Sequence, residues 1–309
     1  MTEAGQHIAV IGAGLMGHGI ALTFARAGHH VVVTDPVSEM LASCPDRIAE
    51  SLTLLGAERD EISATLGRLS LTNTMAEAVK TADFVFEAAP EKLELKKQIF
   101  AEIEAHAPED AILASNTSVI QISKIMADLS GRHRALGTHW WNPPHMIPLV
   151  EVVKTKWADP ELAQRMFDLL AQSCKTPAMV EKDVPGFIGN RLQHALWREA
   201  ISLVENGICD AETVDNVVKA SFGRRLAVLG PLENADLVGL ELTQDIHNQV
   251  LSDLETSGEP SPYLQQMRDA GRSGMAAGTG LRDWEAGDLE KTKARVADHL
   301  RKLEEILPK

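Results

Sequence analysis

The stretch HIAVIGAGLMGHGIALTFARAGHHVVVTDP, residues 7–36, decides the fold. Residues 8–11 are apolar and predict a short buried strand, and the glycines after them predict a tight turn. Apolar residues then recur at helical spacing until Gly28, which is typical of a helix and its C-terminal stop. Residues 31–33 predict a second buried strand. Strands without polar alternation are typical of a parallel sheet covered on both faces, so the stretch predicts a β-α-β unit.

The turn of this unit carries a dinucleotide-binding pattern. Gly12, Gly14 and Gly17 form GxGxxG between a strand and a helix, and Asp35 follows Gly17 by 18 residues, at the end of the second strand. Gly12 permits the turn, Gly14 lets a pyrophosphate approach the backbone, and Gly17 lets the helix pack on the strand. A carboxylate at Asp35 suits two ribose hydroxyls and repels a 2′-phosphate, and no arginine follows it closely along the chain. The pattern therefore predicts NAD as the cofactor, in preference to NADP.

Strand and helix patterns continue to alternate beyond this unit. Further strands are predicted within DFVFEAAP (83–90), DAILASNTS (110–118), RALGTH (134–139), LVEVV (149–153) and TPAMVE (176–181), with a helix over about 91–106. Residues 37–70 predict two polar helices, a hairpin inserted beside the sheet. After KDVPGFIGNRL (182–192) only helical periodicity remains. We therefore predict an α/β, Rossmann-like doubly wound parallel sheet in residues 1–184, followed by an all-helical C-terminal domain in residues 185–309 for substrate binding and dimerisation.

Composition excludes several classes of partner. The chain has 309 residues, is 44% hydrophobic and carries a formal net charge of −14. A nucleic-acid partner needs a basic footprint that such a chain does not offer, and no apolar run has the length of a membrane span. Cys44, Cys174 and Cys209 show no CxxC or Cys/His metal spacing, so we predict reduced thiols, a cytoplasmic location and no metal.

A second unusual stretch is GTHWWNPPHMIPLVEVV, residues 137–153. His139 ends one strand, and Glu151 lies within the next strand between apolar neighbours. A buried carboxylate needs a partner, and the proline-rich turn after Asn142 brings the chain back towards His139. An imidazole oriented by a carboxylate is a general acid/base unit, but the same pair could be a purely structural ion pair. We expect the two tryptophans to pack against the core and to form a wall of the cofactor crevice.

Three other motifs fall at expected strand ends or domain junctions. EAAPEKLELKKQIF (87–100) follows a strand at the edge where a cofactor crevice forms, or is simply a surface helix. In SNTS (115–118), Asn116 and Ser118 either cap the next helix or contact substrate. Asn190 lies at the predicted domain junction, where ligands often bind, or belongs to an ordinary first helical turn.

Taken in order, these motifs resemble the 3-hydroxyacyl-CoA dehydrogenase family. The resemblance covers nearly the whole chain through GAGLMG, EAAPEKLELK, ASNTS, GTHWWNPPHMIPLVEVV and KDVPGFIGNR. It implies a Rossmann-like domain followed by a helical domain that makes a homodimer. The family's catalytic histidine matches His139 and its partner glutamate matches Glu151. Its substrate-site serine and asparagines match Ser118, Asn142 and Asn190.

The resemblance also implies a cofactor site and a reaction. The family's cofactor contacts match Asp35, Glu91 and Lys96. The residues that we assign to the cofactor crevice are Gly12, Gly14, Leu15, Met16, Gly17, Asp35, Ala89, Glu91, Lys96, Asn116 and Asn142. In the implied reaction His139 takes the proton of a secondary hydroxyl, Glu151 fixes the ring, and hydride passes to the nicotinamide. Ser118 and Asn190 are expected to bond the oxygen whose charge changes.

The chain departs from the CoA-dependent members of the family in its helical hairpin. Those members carry lysines there, whereas the first lysine of this chain is Lys80, and residues 39–70 hold three arginines against six carboxylates. An acidic hairpin is a poor site for the phosphates of CoA. NPPHMIPLVEVV is also closer to members of the gulonate and carnitine dehydrogenase type. We therefore predict NAD-dependent oxidation of a small 3-hydroxy acid or related alcohol that carries a carboxylate.

Two alternatives stay open at this point: a true 3-hydroxyacyl-CoA dehydrogenase, and a non-catalytic dinucleotide-binding protein. The presence of the whole set His139, Glu151, Ser118 and Asn190 argues against a non-catalytic protein, because binding alone does not need an acid/base pair. The arginines that could hold a substrate carboxylate are Arg191, Arg198, Arg224 and Arg225.

Overall fold

The structure, a computed structural model, describes residues 5–307 and contains one eight-stranded sheet. The strands are β1 His7–Ile11, β2 His30–Thr34, β3 Leu69–Thr72, β4 Phe84–Glu87, β5 Ile112–Ser115, β6 Ala135–Trp140, β7 Leu149–Val153 and β8 Thr176–Val180. Their order is β3-β2-β1-β4-β5-β6-β7-β8, and every neighbouring pair is parallel except β6 with β7. The order reverses direction at β1, which is the doubly wound pattern, so the predicted fold class is confirmed.

Helices cover both faces of this sheet. Those before residue 191 are α1 Gly17–Arg26, α2 Ser38–Ala42, α3 Cys44–Leu54, α4 Arg59–Leu66, α5 Met75–Val79, α6 Leu93–His106, α7 Ile122–Ile125 and α8 Pro160–Gln172, and α9 Gly189–Glu205 begins just before that point. Successive side chains of β4 point to opposite faces, so Phe86 joins one apolar cluster with Phe24 and Trp140, while Val85 joins the other with Phe100. All five are buried, and burial of side chains of this kind contributes about 1.5–3 kcal/mol each.

The inserted hairpin differs in detail from the prediction. The sequence predicted two polar helices over 37–70, whereas the structure contains three, and residues 69–72 form strand β3 at the edge of the sheet. The sequence missed β3 because LSLT is short and half-exposed, which leaves no long apolar run to mark a strand.

The rest of the chain is helical, as predicted. Its helices after α9 are α10 Ala211–Ala220, α11 Pro231–Val238, α12 Leu240–Val250, α13 Pro262–Asp269 and α14 Asp288–Ile306. The chain separates into two compact units, one up to Arg191 and one from Leu192. Within the part of the chain that the structure describes, no helix has both the length and the apolar character of a membrane span.

Candidate active site

The glycine turn lies where β1 ends, and its backbone explains each glycine. Gly12 has φ +104°, and a Cβ there would lie 2.9 Å from the carbonyl oxygen of Ala88. A Cβ on Gly17 would lie 1.7 Å from the carbonyl oxygen of Gly12, so any side chain would force α1 off β1. A Cβ on Gly14 would meet no atom of the described residues within 4 Å. Gly12 and Gly17 are therefore needed for packing, whereas Gly14 borders open space that a ligand can fill.

Asp35 lies beside this turn at the end of β2. Its Oδ2 accepts a hydrogen bond from the N–H of Ala13 at 2.7 Å, and its Oδ1 accepts one from Val37 at 2.8 Å. The carboxylate is half-buried, and each of its oxygens keeps a second lone pair that these two hydrogen bonds do not use. The open face at Gly14 and the fixed carboxylate at Asp35 fit the pyrophosphate and adenosine ribose of NAD.

Two further residues of the predicted crevice lie in the same turn. The side chain of Leu15 is 65% exposed, and Met16 is partly buried against the core. Ala89, in the loop after β4, donates its N–H to Glu87 at 2.7 Å. The ends of β1 and β4 are neighbours in the sheet, so the structure brings these three residues to one edge.

A buried charged network lies beneath the loop after β4. Lys96 Nζ is 2.7 Å from Glu87 Oε1, Ser115 Oγ donates to Glu87 Oε2 at 2.6 Å, and all three side chains are fully buried. Lys96 also donates to the carbonyl of Ala89 at 3.2 Å. Lys96 is therefore held inside the protein, where it fixes the loop that carries Ala89. The sequence analysis did not single out Glu87 or Ser115, although a glutamate ending the apolar strand FVFE was a usable signal.

Glu91 organises the loop after β5. Its Oε1 accepts hydrogen bonds from the hydroxyl of Thr117 and from the N–H groups of Ser118 and Val119, the latter two at 3.0 and 3.1 Å. Burial raises the pKa of Glu91, but these hydrogen bonds and the Lys96 ammonium outweigh it and lower the pKa below its ordinary value. Glu91 is thus an ionised anchor that sets the position of Ser118.

His139 and Glu151 face each other across β6 and β7. The two residues are direct partners in the antiparallel register, and His139 Nδ1 lies 2.7 Å from Glu151 Oε2. Both side chains are buried. The other carboxylate oxygen of Glu151 accepts the N–H groups of Ile188 and Gly189 at 2.8 and 3.0 Å.

These contacts fix the charge of Glu151. Burial alone raises its pKa, but the hydrogen bonds from His139 and from the backbone of Gly189 and Ile188 lower it below the ordinary value. The group is therefore a carboxylate that accepts a hydrogen bond from the facing ring nitrogen, which places the hydrogen of a neutral His139 on Nδ1. Nε2 then has the free lone pair, as a general base requires.

The predicted asparagines lie around this pair. Asn190, in the first turn of α9, donates its side-chain N–H to the carbonyl of Ser118 at 2.9 Å. Asn116 accepts the N–H of Trp140 at 3.0 Å through its Oδ1, which ties the end of β5 to β6. Asn142 is exposed at the start of the proline-rich turn. Asn190 is therefore bonded to the backbone of the loop after β5, and Asn116, in the same loop, is bonded to the end of β6.

The two tryptophans pack in different places. Trp140 is buried in the sheet core, edge-on to Phe24 and Phe86. Trp141 lies with its ring centroid 5.3 Å from that of His139, and a Cβ on Gly189 would be 2.5 Å from its indole. Trp140 is therefore a core residue, and Trp141 packs beside the acid/base pair.

Arg47 is a residue near the site that the sequence analysis did not identify. On α3, its guanidinium donates to the carbonyls of Ala13, Met40 and Gly14 at 2.6, 2.8 and 3.4 Å. No arginine follows Asp35 closely in the sequence, but the fold brings Arg47 near it, since both side chains bond the backbone of Ala13. No local pattern marks Arg47, because only the packing of α3 against α1 brings it to the turn.

The four arginines proposed as carboxylate holders have different surroundings. Arg191 lies 3.5 Å from the carbonyl of Pro185, and Arg198 donates to the carbonyl of Ser257 at 3.2 Å. Arg198, Arg224 and Arg225 belong to the second compact unit. Across residues 5–307, no cluster of three His, Cys, Asp or Glu side chains could hold a metal ion.

Two family models match the chain. The NAD binding domain of 3-hydroxyacyl-CoA dehydrogenase matches residues 7–184, and the C-terminal domain of the same family matches residues 186–284. Together they cover most of the sequence, and the division between them falls beside Pro185.

Curated relatives of similar identity carry different substrate names. The 5-formyl-3-hydroxy-2-methylpyridine 4-carboxylate 5-dehydrogenase of Mesorhizobium japonicum is 35% identical, covering 96% of this chain and 96% of that one. The mitochondrial hydroxyacyl-coenzyme A dehydrogenase of Rattus norvegicus is 36% identical, covering 89% and 90%. The L-carnitine dehydrogenase of Nocardiopsis dassonvillei is 35% identical, covering 77% and 73%.

A solved structure extends the first of these similarities. The crystal structure of a 5-formyl-3-hydroxy-2-methylpyridine 4-carboxylic acid 5-dehydrogenase, described as an NAD+ dependent dismutase, superposes with a TM-score of 0.90 at 33% identity, covering 98% of each chain. The matched domains and these relatives lead to one conclusion: the chain belongs to the 3-hydroxyacyl-CoA dehydrogenase family and is an NAD-dependent dehydrogenase.

Proposed function

We propose that this protein oxidises the CH–OH group of a small 3-hydroxy acid or related alcohol that carries a carboxylate, with His139 as the general base. The observation that carries the proposal is the 2.7 Å contact between His139 Nδ1 and a Glu151 carboxylate held by two backbone N–H groups. Glu151 keeps the ring oriented and stabilises the imidazolium that forms when Nε2 takes the hydroxyl proton. NAD, when bound, supplies the hydride acceptor for this reaction.

Ser118 and Asn190 would hold the reacting oxygen. The Asn190 amide is already oriented by its bond to the Ser118 carbonyl, and the Ser118 loop is anchored on Glu91. Donors that are fixed before the reaction stabilise developing charge without reorganising, which is the main electrostatic contribution in such sites. In this scheme Gly12, Gly14, Leu15, Met16, Gly17, Asp35, Ala89, Asn116 and Asn142 line the cofactor crevice. Glu91 and Lys96 serve that crevice by fixing its loops.

The helical hairpin supports a small substrate. Of its three arginines, Arg47 is engaged with the glycine turn and Arg68 donates to the carbonyls of Ala25 and Ala64. Two of the three are therefore committed within the protein, among six carboxylates. Few guanidinium N–H groups are left there to bond the phosphates of a CoA ester, and carboxylates outnumber the arginines two to one. Two of the relatives above also act on a carnitine or a pyridine carboxylate according to their names.

Two other substrates deserve direct comparison. The rat relative, at 36% identity, is a hydroxyacyl-coenzyme A dehydrogenase, which favours a CoA ester. The Mesorhizobium relative acts on a formyl group according to its name. A hydrated aldehyde carries hydroxyls on the carbon that loses hydride, so His139 could serve it as it serves an alcohol.

The test is NADH formation with NAD and a substrate panel. The panel contains 3-hydroxybutyryl-CoA, free 3-hydroxy acids including gulonate and carnitine, and an aromatic aldehyde carboxylate, with His139→Ala as the blank. Turnover of a free acid or aldehyde that is lost in His139→Ala is the expected result. A CoA ester turned over far better than its free acid would overturn the small-substrate proposal.

We further propose that the protein is a cytoplasmic homodimer formed through the C-terminal helical domain, with a domain division at residues 184/185. Large apolar side chains of α9, α11 and α12 are exposed, among them Leu196, Leu237, Leu240 and Leu242. A second copy of the chain would cover them. The three cysteines are free, in keeping with a reducing compartment. The break between the two matched family models supports the division.

A further inference from the structure

An acidic protein must bind an anionic cofactor at its glycine turn. The chain carries a net charge of −14, and the carboxylate of Asp35 lies directly beside the turn. The N-terminus of α1 offers a partial positive charge of about +0.5, which is less than the charge of a pyrophosphate. α1 has no lysine or arginine in its first turn, and its one arginine, Arg26, lies at the opposite end. The turn therefore needs a local positive charge from elsewhere.

Arg47 provides that charge from α3. Its guanidinium bonds the carbonyls of Ala13 and Gly14, the two residues between Gly12 and Leu15 in the turn. The nitrogen that bonds Ala13, Nη2, also donates to the Met40 carbonyl. The Nε of Arg47 is buried and has no hydrogen-bond partner among residues 5–307. An arginine placed in this way gives up part of its own hydrogen bonding to hold two carbonyls of one turn.

Asp35 and Arg47 bond the two backbone polar groups of one residue, Ala13, and so hold the two successive peptide units on either side of it. Asp35 accepts the N–H of Ala13 at 2.7 Å, while Arg47 donates to the carbonyl of Ala13 at 2.6 Å. The ring of His18 adds a third contact, with Nδ1 2.9 Å from the Gly14 carbonyl. Carbonyl dipoles that are tied back to a cation cannot turn their negative ends towards a phosphate. The open side next to Gly14 is then left to backbone N–H groups.

We propose that Arg47 is the positioning residue of the cofactor site, which orients the Ala13–Gly14 peptides and offsets the negative field so that the turn can bind the phosphates of NAD. This role is independent of which substrate the enzyme oxidises. It follows that loss of Arg47 weakens phosphate-containing ligands and leaves the adenosine part almost unaffected.

Equilibrium binding to the full-length protein tests this role. Kd for NADH is measured by fluorescence titration, and ADP and adenosine are measured by competition against NADH, in wild type, Arg47→Met, Arg47→Lys and Arg59→Met. Arg59→Met is the matched control, because it removes one exposed arginine from the same hairpin. Thermal unfolding of each variant shows that it is folded.

The expected result is that Arg47→Met raises Kd for NADH and ADP about 10- to 100-fold, as the loss of charge-assisted hydrogen bonds implies. Arg47→Lys should give a smaller increase, since an ammonium keeps the charge but lacks the planar fork that bonds two carbonyls. Arg59→Met should bind as wild type does, and adenosine should bind all four proteins alike.

Unchanged NADH binding in a folded Arg47→Met protein would overturn the proposal. Equal weakening of ADP and adenosine would also overturn it, in favour of general disruption of the fold. If Arg47→Met does not fold, Arg47→Lys is compared with Arg59→Met. A higher Kd for NADH and ADP in Arg47→Lys alone, with unchanged adenosine binding, supports the proposal, and equal Kd values in the two variants overturn it.

Discussion

The two compact units of this chain differ in the burial of their large apolar side chains: the first buries most of them, and the second leaves many of them exposed. Every large buried hydrophobic residue of the described chain lies at or before Phe187, in two clusters on the faces of the sheet. From α9 to α13 the helices have no buried residue, and most of the exposed large hydrophobic side chains of residues 5–307 lie at or beyond Leu192. The first unit is stabilised by its own core, whereas the second exposes surface that a further chain could cover.

This difference shows where precise chemistry can be built. The side chains of the His139–Glu151 pair and of the Glu87–Lys96 pair are all buried, where a side chain has few alternative positions. The ion pairs of α14, such as Lys302 with Asp298, lie in solvent and order little around them.

The acid/base pair should show the largest effect. We expect His139→Ala to lower kcat/KM by about 10²–10⁴-fold, because loss of a general base removes that much rate. The measurement is kcat/KM with the substrate identified by the panel. Replacing His106, an exposed histidine at the end of α6 in the same unit, should leave the rate unchanged. A loss below tenfold in His139→Ala would show that the pair is structural.

Breaking the buried ion pair of the first unit should be costly. We expect Lys96→Met to lower the free energy of unfolding by about 3–5 kcal/mol, because Glu87 is left as an uncompensated buried charge. Lys302→Met, which removes an exposed ion pair from α14, should lower it by less than about 1 kcal/mol. Urea unfolding of both variants gives the comparison. Equal losses would show that the two units do not differ in this respect.

The exposed apolar surface of the second unit should control assembly. We expect wild-type protein to sediment as a dimer, and Leu240→Glu to shift it to a monomer, because a charge at the centre of an apolar interface is not compensated. Leu54→Glu is the control, at an equally exposed leucine of the first unit that ends α3. Wild-type protein that sediments as a monomer at micromolar concentration would contradict the proposed dimer.

A pH effect of smaller size should come from the first unit. Burial, followed by the charges of His18 and Lys175, lowers the pKa of His145 from 6.5 to about 4. The unfolded chain therefore binds a proton at a higher pH than the folded chain does. Stability should be full above pH 6.5 and fall as the pH drops towards 4. His145→Gln should flatten this slope, as measured by Tm between pH 7.5 and 4.5, and parallel curves for the two proteins would contradict the assignment.

Much of the first unit could be predicted because its signals are local. The glycine pattern, Asp35 and the apolar strands each lie within a few residues of the feature that they specify, and β1, β2, β4 and β6 lie where the sequence placed them. β3 was missed because an edge strand of four half-exposed residues has no apolar pattern. The hairpin was simplified because α2 is a single five-residue helix next to α3.

Residues that act at a distance were harder to find. Glu87 and Ser115 were missed because their partners are Lys96 and each other, which come together only when β4 pairs with β5. Lys96 was identified through the family resemblance, but the sequence could not show that its ammonium is buried. Arg47 has no motif at all, and its contact with Ala13 spans 34 residues.

The sequence alone determined the dinucleotide fold, the identity of the cofactor and the pairing of His139 with Glu151. Glycine spacing, apolar periodicity and an otherwise unpaired buried carboxylate are constraints that few structures satisfy. Tertiary structure alone decided which nitrogen of His139 faces its carboxylate, which residues hold the Ser118 loop, and that Arg47 lies at the glycine turn. Those features depend on side chains that approach across neighbouring strands or packed helices, and a hydrogen bond of about 3 Å requires a precision that no residue pattern contains.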